Sequence, residues 1–124
     1  MDLTLHKPGD HHFIRSVGPE GITVTDTLYT SSLVLSADDL LPDWPVRSVA
    51  ELTEAHLEAA LEMDPEIVIL GTGRKQAFPP PKFMVMFYEK GIGFEAMTTE
   101  AACRTFNVLL SENRKAVAAL IVSD

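Results

Sequence analysis

The amino-acid sequence predicts an α/β fold: a mostly parallel sheet flanked by helices, with extra β-hairpin structure at the N-terminus. Three features carry this expectation. From residue 48 onward, segments with apolar residues at helical spacing alternate with short apolar runs. Two of those runs, residues 67–70 and 116–122, are apolar without a break, the pattern of strands covered on both faces. Before residue 36 the chain instead alternates apolar and polar residues around a Gly-Pro cluster, as half-buried strands do.

In chain order, residues 13–17 alternate, Gly18-Pro19-Glu20-Gly21 forms a turn cluster, and residues 22–25 alternate again, which predicts a hairpin. Residues 32–35 predict a further strand. Pro42 and Pro45 flank Trp44 and exclude regular structure over residues 41–45, because each proline lacks an N–H and restricts its predecessor. Ser48 and Glu51 have capping-box spacing and open a helix whose inner face carries Val49, Leu52, His56, Leu57, Ala60 and Leu61, closed by Asp64-Pro65. Residues 66–70 follow as a strand. Pro79-Pro80-Pro81 opens a second helix, lined on one side by Phe83, Met84, Phe87 and Tyr88 and ended at Gly91. Residues 92–97 read as a strand. Thr98 or Thr99 caps a third helix with Ala102, Cys103, Phe106, Leu109 and Leu110 inward, and residues 116–122 form the last strand.

At 124 residues and 46% hydrophobic content, the chain has enough apolar side chains for one core, so a single domain over residues 1–124 is expected. No apolar run approaches the roughly 20 residues that span a bilayer, and the opening Met-Asp-Leu-Thr-Leu-His lacks the segments of a secretory signal. A lone cysteine, Cys103, leaves no internal disulfide and fits a reducing compartment, so a cytoplasmic location is expected. The net charge of −8 argues against a sequence-independent grip on nucleic acid, which needs clustered cations against phosphate. Between residues 36 and 66 stand Asp38, Asp39, Asp43, Glu51, Glu54, Glu58, Glu62, Asp64 and Glu66, with Arg47 as the sole Lys or Arg. Such a stretch is either a solvated face or a docking surface for a basic protein partner.

In open α/β sheets, ligands collect beyond the carboxyl ends of the strands. There the chain places Gly71, Thr72, Gly73, Arg74, Lys75 and Gln76. Two glycines permit close backbone approach or positive φ, and the adjacent cations can hold an anion, which makes this loop the candidate ligand-binding segment. It lacks the dinucleotide fingerprint, since Gln76 stands where the third glycine belongs, and it lacks P-loop spacing; the plain alternative is a tight turn with solvated cations. Asn107 and Arg114 are added as candidates for the wall of a shared pocket. Their plain alternative is a bracket between the last helix and strand, with Asn107 bracing a loop and Glu112 pairing with Arg114.

Cys103 falls on an inner helix face as a core thiol, whereas a catalytic cysteine needs a histidine in reach; His6, His11, His12 and His56 are scattered. His11-His12 has no second ligand pair at metal-site spacing. Neither a G-x-S-x-G elbow nor H-E-x-x-H occurs. No catalytic residue, metal site or cofactor is therefore assigned. Trp44 reads as a lid on the sheet or a helix, with a partner-binding anchor as the alternative.

The assembled pattern resembles a family that includes mitochondrial complex I assembly factor three and the adipogenesis-associated Mth938 domain-containing protein. The resemblance rests on Trp44 in its Pro-rich loop, on Ile67-Val68-Ile69-Leu70-Gly71-Thr72-Gly73, and on residues 97–110 with Thr105-Phe106-Asn107-Val108-Leu109. Glu112-Asn113-Arg114 and Ala118-Ala119-Leu120 complete it, so that nearly the whole chain is covered. Asn113 departs from the glycine common in the family. The resemblance implies a three-layer α/β domain with a central mixed sheet and extra N-terminal β structure. It carries over no catalytic residues and favours a non-enzymatic binding or assembly-factor-like module. The alternative is a binder of a small anionic ligand, or an enzyme, using residues 71–76.

Overall fold

The computed structural model describes residues 11–122. Its strands are β1 (Ile14–Gly18), β2 (Gly21–Val24), β3 (Thr27–Tyr29), β4 (Leu33–Leu35), β5 (Leu40–Leu41), β6 (Ile67–Gly71), β7 (Gly93–Met97) and β8 (Ala116–Leu120). Its α-helices are α1 (Glu54–Leu61), α2 (Pro81–Glu89) and α3 (Thr99–Ser111). The central sheet has the order β5-β4-β8-β6-β7. β6 runs parallel to β7 on one side and β8 on the other, while β4 and β5 join antiparallel at the β8 side. The sheet is thus mixed, with its three parallel strands contiguous. β1, β2 and β3 form a separate antiparallel meander.

Crossover chirality distributes the helices. The path β6–α2–β7 steps one way along the sheet, and β7–α3–β8 steps back the other way. Right-handed crossovers in opposite directions set their helices on opposite faces. On one face, Phe83 and Phe87 of α2 and Leu57 and Ala60 of α1 pack on Val34, Val68, Leu70, Val117 and Ala119. On the other, Ala102, Cys103 and Phe106 of α3, with Ile14, Ile22 and Val24 of the meander, pack on Leu33, Leu35, Ile69, Ala118 and Leu120. The meander therefore lies beside α3 in the third layer. Each fully buried large side chain here stabilises the fold by about 2 kcal/mol.

Several local expectations shift. The Ser48–Glu51 spacing produces only a 3₁₀ turn, and Ser48 makes no side-chain cap. Glu51 Oε1 instead accepts from the Arg47 N–H at 2.9 Å. Leu52 is extended (φ −68°, ψ 133°) and breaks the run, so the helix restarts one turn later. There Thr53 Oγ1 accepts from His56 N–H (3.3 Å) while Thr53 N–H donates to His56 Nδ1 (3.2 Å), with histidine standing where a capping box usually has glutamate. In α2, Phe83 and Phe87 face the core, but Met84 and Tyr88 point outward at 49% and 82% exposure. The short strands β3 and β5 were not legible, and Leu41 pairs with Val34 despite the following proline.

The helix ends follow the sequence more closely. Gly91 at φ 73° closes α2, its N–H donating to Tyr88 O and that of Ile92 to Phe87 O. Asn113 at φ 62° does the same for α3, with Asn113 N–H on Leu110 O and Arg114 N–H on Leu109 O. Asparagine tolerates this left-handed conformation, so the departure from glycine leaves the turn intact.

Candidate functional site

Because β6, β7 and β8 are parallel, their carboxyl ends emerge on one edge, followed by residues 71–73, 97–99 and 121–122. A dense set of bonds joins them. Thr72 N–H donates to Met97 O (2.8 Å), Thr99 N–H to Gly73 O (2.9 Å), and Ile121 N–H to Gly71 O (3.0 Å). Thr99, buried at the start of α3, sits at the centre: its Oγ1 accepts from Gly73 N–H at 2.9 Å and donates to Ile121 O at 2.7 Å. Thr98 supplies the cap of α3 by accepting from Ala101 N–H.

Within the loop the two glycines serve different ends. Gly71 lets α3 approach, since a Cβ there would lie 2.9 Å from the Thr99 Cα. Gly73 holds φ 107°, a backbone that side chains disfavour. Thr72 Oγ1 donates to Lys75 O and accepts from Ala77 N–H, bracing the bend from inside. Arg74, Lys75 and Gln76 are exposed.

A cavity of about 460 Å³ opens at this edge. Gly73, Arg74 and the start of α3 (Thr98 to Glu100) form one wall, and Val17, Pro19 and Ile22 of the β1–β2 hairpin form the other. Of the loop, Gly73 and Arg74 line it. Asn107 and Arg114 do not: both line a separate groove with His11, His12 and Phe13. A third cavity, about 190 Å³, lies between Asp38, Asp39, Asp64 and Lys115.

Asn107 grips the first strand. Its Oδ1 accepts from Ile14 N–H at 2.9 Å, and its Nδ2 donates to Ile14 O at 2.8 Å, tying the meander to α3. Asn107→Ala is expected to lower stability by about 1–2 kcal/mol through loss of both bonds. Denaturant unfolding measures this, and loss of amide protection confined first to the meander is the accompanying signature. Arg114 binds Glu66 at 3.1 Å rather than Glu112. The Lys115 N–H and, after it, the Arg114 guanidinium hold the Glu66 carboxyl below its ordinary value of 4.5. The stabilisation from Glu66 is therefore present above pH 4.5 and is lost as the pH falls through the lowered folded-state value.

Cys103 is buried, and desolvation pushes its thiol up to about 12 from 9.0; Glu100 adds to the rise, while Arg104 opposes it. Its thiolate population is on the order of a thousandfold below that of an ordinary cysteine. The folded chain is expected to resist iodoacetamide at neutral pH, and the denatured chain to react fully; mass spectrometry distinguishes the two. Because the folded value is raised, the group's contribution to stability is complete below pH 9.0 and erodes as the pH rises toward 12. His6 lies outside the described residues. His11 contacts Asp38 at 2.9 Å, His12 contacts Ser36 O, and His56 serves the α1 cap. Trp44 is a core residue, 3% exposed, with Nε1 donating to His56 O at 3.0 Å. Among the described residues, no three His, Cys, Asp or Glu side chains converge as a metal site.

A three-layer α/β domain with an antiparallel meander laid beside its last helix is the Mth938-like architecture. A Bordetella pertussis protein described as a Mth938-like domain superposes with a TM-score of 0.81 at 25% identity, over 98% of this chain and 92% of that one. The chain belongs to the family described as "Protein of unknown function (DUF498/DUF598)", whose model matches residues 14–121, from the start of β1 to just past β8. A Xanthomonas campestris structure matches at 37% identity and TM-score 0.82, covering 98% of this chain and 92% of its own. Among curated relatives, the "13 kDa major membrane protein" of Francisella tularensis is 33% identical over 69% of this chain and 71% of its own length. Mouse "NADH dehydrogenase [ubiquinone] 1 alpha subcomplex assembly factor 3" is 32% identical over 88% of this chain. The aligned region spans 60% of that mouse protein. Among the described residues, no helix is long and apolar enough to cross a membrane.

What sequence reasoning missed was Thr99. Adjacent threonines after a strand carry one cap between them, which frees the second hydroxyl to bond elsewhere, and that doubling was the available signal.

Proposed function

We propose that the chain is a non-enzymatic binding module of assembly-factor type, which holds a protein partner while a larger complex is built. One observation carries the reading: the 32% identity, over most of this chain, to a relative named as an assembly factor of NADH dehydrogenase. The acidic surface supplies a docking face. Glu54, Glu58 and Glu62 form an exposed carboxylate row along α1. Like charges at this spacing cost a helix about 0.2–0.5 kcal/mol per pair, and Glu62 sits at the unfavourable end of the helix dipole. A row kept against local stability suits a basic partner segment. Trp44, being buried, acts by holding α1 in place rather than as an anchor for the partner. The cytoplasm, as a reducing compartment, accords with the core thiol of Cys103.

The test is affinity capture from the source cells with the native chain and with a Glu54→Lys, Glu58→Lys, Glu62→Lys variant. Subunits of one multi-protein complex are expected with the native chain and not with the variant. Equal recovery by both, or no reproducible subunit set, overturns the reading.

The cavity beside Gly73 and Arg74 supports a second reading: a small anionic ligand seated at the carboxyl ends of the strands, with Gly71, Thr72, Lys75 and Gln76 shaping the loop behind it. Calorimetric titration with small carboxylates and phosphates, repeated on Arg74→Ala, tests it. Heat that survives the substitution unchanged counts against it.

A further inference from the structure

The cavity at the carboxyl ends of the parallel strands has two kinds of wall. Its volume of about 460 Å³ falls in the range of small-molecule pockets. Val17, Pro19, Ile22 and Val122 make one side apolar. Val17 and Val122 pack at the margin of the cluster beneath α3 and stay half-buried, so the apolar layer there is incompletely covered. Arg74, Thr98 and Glu100 stand on the polar side. Arg74 is exposed and carries the five N–H donors of its guanidinium. Thr98 Oγ1 accepts from Ala101 N–H at 3.2 Å, and among the described residues its own O–H has no acceptor. The Glu100 carboxylate lies 3.9 Å from Arg104, one turn along α3, and is drawn along the helix.

We infer that this cavity takes a small monocarboxylate with an apolar body, an inference that rests on the anionic-ligand reading and narrows it to one class. Charge sets the valence. One guanidinium and one carboxylate leave the lining neutral, so Arg74 can match a monoanion, whereas a phosphate dianion would meet Glu100 with a charge left over. The donors set the head group, because a planar carboxylate accepts from an arginine fork in bidentate fashion and can take the Thr98 hydroxyl as well. The walls set the rest. An aliphatic or aromatic body removes Val17, Pro19, Ile22 and Val122 from water, which a bare inorganic anion would leave wet. The two sides come from distant parts of the chain, and the bonds from Asn107 to Ile14 hold the hairpin side against α3.

The experiment is calorimetric titration of the full chain with acetate, butyrate, hexanoate, hexanol and inorganic phosphate, with backbone amide shifts followed by NMR. Affinity is expected to rise about fourfold per added methylene from acetate to hexanoate. Hexanol and phosphate should each bind about tenfold more weakly than hexanoate, and the shifts should gather at residues 17–22, 98–100 and 122. Arg74→Ala should weaken hexanoate by about tenfold. Val17→Thr should flatten the chain-length series without altering the circular dichroism spectrum. Phosphate that binds through Arg74, with no gain along the acids, overturns the monocarboxylate inference and leaves the anionic-ligand reading standing. Hexanol that binds as tightly as hexanoate, or no shift at the cavity with any probe, overturns both.

Discussion

Replacing Thr99 with valine is expected to destabilise the protein by about 3 kcal/mol, because two buried backbone groups each lose their side-chain partner. Valine matches the shape of threonine but neither accepts from Gly73 N–H nor donates to Ile121 O. Gly73, Thr99 and Ile121 are buried but form part of the cavity wall, so water entering the cavity offsets only part of the loss. Thr99→Ser serves as the control: it keeps both bonds and gives up a methyl group, a loss of about 1 kcal/mol. Urea unfolding of the pair separates bonding from packing. If valine is no worse than serine, Thr99 is not the joint between β6, α3 and β8.

Gly71→Val should have a comparable effect by the opposite route, overpacking, at about 3 kcal/mol. The contact at 2.9 Å is to the Thr99 Cα, and Leu120 Cδ2 lies 3.1 Å away, so the first obstacle is backbone and cannot rotate aside. Relief requires α3 to move off the sheet, which would also stretch the Thr99 bonds. The two substitutions share a partner and are expected to be non-additive in combination. Thermal unfolding of Gly71→Val, Thr99→Val and the double variant measures that coupling, and strict additivity would contradict the shared joint.

Much of the fold was legible because burial on two faces leaves a plain mark. Residues 67–70 and 116–120 are apolar throughout, and they became the central strands β6 and β8. Gly91 announced the end of α2, and the structure closes that helix with this left-handed residue. Strands β3 and β5 were not legible, since three and two residues leave no period to read and only pairing defines them. The first helix started late because Ser48 and Glu51 satisfy the capping pattern locally, while the extended Leu52 breaks the helix and gives the cap to Thr53.

The candidate site was legible in part for a related reason. Local rules identified a special backbone at Gly71 and Gly73, but which distant residues would meet it depends on tertiary register. The β1–β2 hairpin wall and Thr99 arrive at that edge from opposite ends of the chain, whereas Asn107, eight residues along α3, is carried away to grip Ile14. The outward Met84 and Tyr88 illustrate the ambiguity of a helix that is apolar on two faces, where periodicity alone does not say which face is buried.

The most direct measurement of the binding-module reading is hydrogen exchange on the chain alone and with its captured partner. Protection is expected along the outer face of α1, over Glu54, Glu58 and Glu62, with the cavity wall at Gly73 and Arg74 unchanged. Protection confined to that cavity wall, with α1 exchanging as in the free chain, would contradict it.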